Sequence, residues 1–180
     1  AKSVEISFAY PSTWKGLPGN RPNVLYQVTS KEGRGMESCN LLVNFPKDED
    51  GSYVEPHEAP ARFTVENIDW FKVPGAEFLA GEPTTIDSLP AFWILSRHEV
   101  DRAGIKIKMY SLIFSTYYER KLIGFTCMVG ADASLEWEAV QNQMREFVPL
   151  FQQMAGSIIV HTRWKDMGST PSLSSLALGL

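Results

Sequence analysis

Apolar and polar residues alternate along the first part of the chain, the pattern of strands that bury one face of a sheet. The alternation is clearest over residues 4–10, where every second side chain is apolar. It returns over 24–28 and again over 39–45, a segment whose inward face includes Phe45. A Gly-rich stretch between these two segments suits a hairpin turn. The pattern therefore predicts one strand followed by a β-hairpin.

Two loops and a short helix interrupt this pattern. The segment over 11–23 is rich in Pro and Gly, and we expect it to fold Trp14 and Leu17 back as a lid on the core. The segment over 46–60 is acidic and punctuated by proline, which is typical of an exposed loop. Apolar residues at three-residue spacing then predict a helix over 65–72.

The second half of the chain predicts an antiparallel meander and a final short strand, over residues 77–87, 91–100, 105–116, 122–129 and 157–162. In the third of these strands the isoleucines share one face with Met109. Lys106, Lys108 and Tyr110 share the other face. This separation predicts a sheet with one buried face and one exposed face.

A long helix is predicted between the meander and the final strand, beginning at Asp132 or Ser134 and ending at Gly156. Its apolar residues recur at intervals of four and three, as required for packing on the sheet: Val140, Met144, Phe147, Phe151 and Met154. Pro149 predicts a kink or a break. The predicted fold class is α+β, an antiparallel β-sheet covered by a long C-terminal helix.

Composition narrows the class of protein. The 180 residues form one domain over 1–164, with 165–180 expected to be a flexible tail. A net charge of −4 disfavours nucleic acid as a partner. No apolar run reaches the roughly 18 residues of a membrane span. The two cysteines, Cys39 and Cys127, fit either a disulfide in an oxidising compartment or two buried thiols in a reducing one.

The search for catalytic and metal-binding patterns favours a protein without a cofactor or metal. His57, His98 and His161 lack the spacing of zinc ligands. The run Asp48-Glu49-Asp50 resembles the start of a calcium loop, but the twelfth position holds Ala59 instead of a glutamate. Phosphate-binding and nucleophile-elbow motifs are absent, and no spacing brings a Ser/His/Asp triad together.

Aromatic residues outside regular elements are the remaining candidates, because such residues are enriched at protein interfaces. Trp14 and Tyr53 lie in predicted loops and are expected to line a partner-binding rim. Trp164 adjoins the leucine-bearing tail and is a third candidate for docking on a partner or a sister subunit.

Several short motifs occur in an order that resembles a known fold. They are Phe8-Ala9-Tyr10-Pro11-x-x-Trp14, a hairpin at Leu89-Pro90-Ala91, and Gly156-Ser157-Ile158 after the long helix. Over residues 4–162 the chain resembles the PsbP/Mog-type α/β sandwich, which includes DcrB-like bacterial proteins. The resemblance implies a non-enzymatic binding or assembly module, because most members of that superfamily are not catalysts.

From these observations we expect a protein-binding or accessory module of the bacterial envelope, periplasmic or secreted, whose partner is another protein. A homodimer is left open. An intracellular effector chaperone or adaptor in the cytoplasm is the alternative, followed by a metal-dependent or hydrolytic enzyme.

Overall fold

The computed structural model describes residues 4–30, 37–47, 51–67, 72–102 and 104–166. Its elements, in chain order, are β1 Ile6–Ser7, β2 Lys15–Pro18, β3 Val24–Thr29, β4 Ser38–Asn44, α1 Ala59–Arg62, β5 Glu77–Ile86, β6 Leu89–Arg102, β7 Ile105–Tyr118, β8 Lys121–Asp132, α2 Trp137–Gly156, β9 Ile159–Val160 and α3 His161–Asp166. They form a mostly antiparallel α+β structure with one longer C-terminal helix, as the sequence predicts.

Seven strands form the main sheet in the order β2-β3-β4-β8-β7-β6-β5. Every neighbouring pair is antiparallel. The sheet therefore consists of two meanders, β2 to β4 and β5 to β8, which meet along the ladder between β4 and β8. The predicted hairpin is β3–β4, and the predicted second meander is β5 to β8.

Helix α2 packs across β7 and β8, with the predicted apolar stripe facing the sheet. Of the kink or break predicted at Pro149, the break does not occur, because α2 continues through this residue as one helix. Pro149 and Arg145 both lie on the exposed side of the helix. The carbonyl that loses its hydrogen bond there faces water, which can satisfy it.

The prediction of a one-sided sheet is wrong, because both faces of β7 are buried. Tyr110, only 2% exposed, and Leu112 lie under α2. The other face carries a second, smaller core, in which Val54, Ala59, Phe63, Phe92, Ile94 and Tyr117 pack together. Lys108, expected to mark an exposed face, instead donates from Nζ to the Leu135 carbonyl at 2.7 Å beside the start of α2.

The short elements differ most from the predictions. Strand β1 pairs with β9 in a separate two-stranded sheet. Strand β2 lies in the segment predicted as a loop over 11–23, and α1 begins within the loop predicted over 46–60 and extends two residues beyond it. Of the helix predicted over 65–72, residues 65–67 form a single 3₁₀ turn, and residues 68–71 lie outside the described part. The final predicted strand shortens to β9 because α3 begins at His161.

A disulfide joins Cys39 of β4 to Cys127 of β8. The two residues are directly paired across the ladder and are fully buried. Of the two cysteine states that the sequence left open, the structure has the disulfide. Helix α3 extends into the predicted tail as far as Asp166, and the rest of that tail lies outside the described residues. Within the described ranges, no helix has the length and apolar character needed to cross a bilayer.

Candidate partner-binding surface

Residues 51–67 cross one end of the second sheet face and are fastened there by buried groups. Val54 is 0% exposed and packs in the smaller core. The Tyr117 hydroxyl donates to the Val54 carbonyl at 2.6 Å, and the Val54 N–H donates to the Pro46 carbonyl at 3.4 Å. Ala59 and Phe63 are buried a few residues later. The backbone around Val54 is therefore held in one position.

An ion pair fastens the same segment from outside the core. The Arg120 guanidinium donates through Nη2 to both carboxylate oxygens of Glu55, at 2.8 and 2.9 Å. Arg120 lies in the two-residue turn between β7 and β8, whose flanking residues Tyr118 and Lys121 are paired. The segment is thus attached to the sheet at consecutive residues, Val54 and Glu55.

Next to these attachment points, two aromatic side chains face solvent. Tyr53 is 48% exposed and Phe45 is 42% exposed. Lys47 pairs with Tyr53 in an isolated antiparallel bridge, and its Nζ lies 4.9 Å from the centre of the tyrosine ring. We call Phe45, Lys47 and Tyr53 the Tyr53 surface. Its exposed aromatic rings stand on backbone that is already fixed to the sheet. Binding a partner therefore costs less conformational entropy than it would on a mobile loop.

The structure places Phe45 differently from the sequence pattern, which put it on an inward face. Strand β4 ends at Asn44, and Phe45 follows the end of the ladder immediately before Pro46. The alternation that buries Leu41 and Val43 therefore does not extend to it. The proline after Phe45 is the sequence signal that favoured a strand end at this point.

Trp14 lies in the core instead of on a rim. It is 7% exposed, and its ring packs edge-on against Phe147 and Phe151 of α2, with ring centres 6.2 and 6.4 Å apart. This agrees with its predicted role as a lid and leaves little of its surface for a partner. Leu17, predicted to join the lid, is 42% exposed on edge strand β2.

Trp164 is half-buried and fastens α3 to the sheet. Its Nε1 donates to the Asp87 carboxylate at 2.9 and 3.0 Å. The same carboxylate accepts from the Val160 N–H at 3.0 Å and lies 3.9 Å from the Arg163 guanidinium. The structure thus gives Trp164 a role in holding α3 against the turn between β5 and β6.

A serine and a histidine do meet, although no sequence spacing predicted it. Ser7 Oγ lies 2.7 Å from His161 Nε2. Glu5 lies near His161, but its carboxylate is bound by Lys165, and this hydrogen bond and the positive charge of Lys165 lower the pKa of Glu5. The Glu5 N–H donates to the Thr162 hydroxyl at 3.0 Å. These contacts join β1 to α3.

The other candidate chemistry stays dispersed. His57 is exposed, 3.9 Å from Glu58, and His98 lies on β6 opposite Met109. Among the residues that the structure describes, no three His, Cys, Asp or Glu side chains gather as metal ligands. The proposed start of a calcium loop, residues 48–50, lies outside those residues.

Comparison with known proteins places the fold. No family model matches the chain, and no curated protein matches it. Among solved structures, LpqN of Mycobacterium tuberculosis superposes with a TM-score of 0.50 at 10% identity, over 87% of this chain and 83% of LpqN. Cyanobacterial PsbP (CyanoP) from Synechocystis sp. PCC 6803 is 21% identical over 86% of both chains, with a TM-score of 0.46. The superposition on LpqN shows a shared fold, and the presence of CyanoP among the similar structures agrees with the resemblance to PsbP.

The PsbP-like fold confirms the resemblance drawn from the motifs at residues 8–14, 89–91 and 156–158. The aromatic residues of the opening motif pack in the interior: the Phe8 and Phe125 ring centres lie 5.1 Å apart, and Trp14 packs on α2. The PsbP-like fold itself identifies no site, because one fold supports many functions. The candidate surface is therefore argued from its own geometry.

Proposed function

We propose that this PsbP-like chain is a non-enzymatic binding or accessory module that works outside the cytoplasm and docks another protein through the Tyr53 surface. The observation that carries the proposal is the combination of exposed aromatic rings with anchored backbone. Tyr53 and Phe45 are each more than 40% exposed, while Val54 and Glu55 are fixed to the sheet. Aromatic side chains on ordered backbone supply contact area at low entropic cost.

The disulfide supports a location outside the cytoplasm. Disulfides that are buried and structural persist in oxidising compartments and are rare where glutathione keeps thiols reduced. Cys39 and Cys127 are both fully buried. The similar protein LpqN is described as involved in cell envelope biogenesis, which suits an envelope location. Thiol counting in denaturant separates the two locations: we expect no free thiol in protein isolated from cells, whereas two free thiols would favour the cytoplasmic adaptor.

Site-specific photo-crosslinking tests the binding surface. A photoreactive phenylalanine analogue replaces Tyr53 or Phe45 in the full chain and is activated in native cells. Leu17 provides a matched control, because it is as exposed as Phe45 but lies on β2. We expect the same protein to be captured from positions 53 and 45 and not from position 17.

Competition makes this test quantitative. Purified competitor is added to a cell lysate before irradiation. Tyr53→Ala protein should fail to reduce capture of the partner, whereas Leu17→Ala protein should reduce it as wild type does. A partner captured equally from all three positions, or competed equally by both variants, would count against the Tyr53 surface. Capture of a second copy of the chain from positions 53 and 45 would identify the surface as a homodimer interface.

The contact between Ser7 and His161 is the one observation that favours a hydrolytic enzyme, because a hydroxyl within hydrogen-bond reach of a histidine is the geometry of an activated nucleophile. The acid beside His161, however, is bound by Lys165, so the group serves to fasten β1 to α3. A fluorophosphonate probe decides between these roles. We expect no labelling, and labelling that disappears in Ser7→Ala would favour the enzyme.

A further inference from the structure

The turn between β7 and β8 has an unexpected sequence for its backbone conformation. Its two central residues, Glu119 and Arg120, have positive φ angles of 47° and 61°. Two-residue hairpin loops with this backbone strongly prefer Asn-Gly or similar pairs, because other side chains crowd the backbone there. A Glu-Arg pair is therefore disfavoured locally, and its side chains need a compensating role.

The structure shows what the side chain of Arg120 does from this position. It reaches Glu55, 65 residues away in the chain, and binds both carboxylate oxygens. Glu55 follows Val54, whose carbonyl is bound by Tyr117 near the end of β7. Strand β7 and its turn thus hold two successive residues directly after Tyr53. Glycine or asparagine in the turn would relieve the crowding but could not reach Glu55.

We propose that Arg120 is a positioning residue for the Tyr53 surface, and that the turn retains an unfavourable conformation because the arginine orders the backbone that presents Tyr53. The role of Arg120 in partner binding rests on the proposed function. Its effect on the order of residues 53–59 does not, because that order can be measured without a partner.

Amide hydrogen exchange of the whole chain measures that order directly. The reporters are three backbone N–H groups of this segment. The N–H of Val54 donates to the Pro46 carbonyl, and those of Glu58 and Ala59 both donate to the Glu55 carbonyl. The Arg120→Gly substitution relieves the backbone crowding in the turn and removes the ion pair with Glu55. We expect exchange at these reporters to become about two- to fivefold faster, the range for loss of an exposed pair. The urea midpoint should stay the same or rise.

Three further variants separate the ion pair from the turn. Glu119→Asn relaxes the same turn and removes the 3.1 Å ion pair between Lys121 Nζ and the Glu119 carboxylate, but it leaves the bond between Arg120 and Glu55 in place. Reporter exchange should therefore not change. Glu55→Gln should reproduce the effect of Arg120→Gly, and the double variant should add nothing. Exchanging the charges, with Arg120→Glu and Glu55→Arg together, should restore part of the protection.

The inference fails if Arg120→Gly leaves the reporters unchanged, if Glu119→Asn accelerates them equally, or if exchange rises to the same degree across β7. In the crosslinking assay, Arg120→Gly should weaken capture from position 53 while Glu119→Asn preserves it. If wild-type protein captures nothing from position 53, the proposed function fails, and the exchange measurements still decide whether Arg120 orders the segment.

Discussion

Replacing Cys39 and Cys127 together by alanine removes the covalent link between β4 and β8, along the ladder where the two meanders of the sheet meet. The bond closes a loop of 88 residues. Opening that loop restores about 15 cal/mol/K of entropy to the unfolded chain, which corresponds to about 4.6 kcal/mol at 25 °C. Because measured effects are often smaller than this value, we expect the free energy of unfolding to fall by about 2–4 kcal/mol.

Urea unfolding followed by fluorescence measures the loss. With a typical slope of about 2 kcal/mol/M, the midpoint should fall by about 1–2 M. Wild-type protein unfolded and refolded in reductant is the control, since it loses the bond and keeps both sulfur atoms; it should behave as the double variant does. The buried sulfurs should resist reductant added to the folded protein. Equal midpoints for oxidised wild type and the double variant would refute the reasoning.

Three further predictions concern packing and charge. Trp14→Ala should lower the free energy of unfolding, measured in urea, by about 3–5 kcal/mol because it opens a cavity against α2. Tyr53→Ala, at an exposed position, should change it by less than about 0.5 kcal/mol. Equal losses for the two variants would contradict the burial of Trp14 or the exposure of Tyr53. Gly16→Ala should destabilise by about 1–3 kcal/mol, because a Cβ there would collide with the hydroxyls of Tyr26 and Tyr10. Gly124→Ala, whose Cβ would meet Leu42 at an ordinary 3.8 Å, is the matched control and should be tolerated. Lys165 holds the pKa of Glu5 below its ordinary value of about 4.3, so the stability that this contact contributes is present above that value and is lost as pH falls through the lower folded-state pKa. Carboxyl NMR should show the lowered titration, and Lys165→Met should return it toward the ordinary value.

The long elements were predictable because their patterns are long enough to determine a period. Twenty residues of α2 repeat an apolar stripe, and the strands of the second meander are 10 to 14 residues long. Strands were also predicted over 4–10 and 157–162, but only the two-residue strands β1 and β9 form within these segments. They exist because tertiary contacts hold them, as is usual for elements too short to be stable alone.

The burial of both sheet faces was missed for a different reason. Lys106 and Lys108 begin β7, and they lie near the end of the sheet beside the start of α2. Beyond them, both faces of the strand become apolar or small. Two charged residues at one end of a strand therefore say little about the face as a whole, which extends over 14 residues.

The candidate site was predictable only in part. An acidic, proline-rich segment correctly indicated that Tyr53 faces solvent. The same reasoning failed for Trp14, because the Phe147 and Phe151 side chains that bury it come from α2, far along the chain. Trp164 is held by Asp87, 77 positions away. An aromatic residue outside a regular element can pack inside its own fold or face a binding partner. Which of the two it does depends on residues far away in the chain.

The pairing of β1 with β9 has a consequence for the order in which the molecule assembles. Ser7 and His161 meet across 154 positions of chain, so a ribosome must synthesise nearly all of the described residues before the first strand finds its partner. Contacts of such high sequence separation slow folding. The seven-stranded sheet, whose last strand ends at Asp132, has all of its strands before β9 is synthesised, so the closing of this short pair is a late step of assembly.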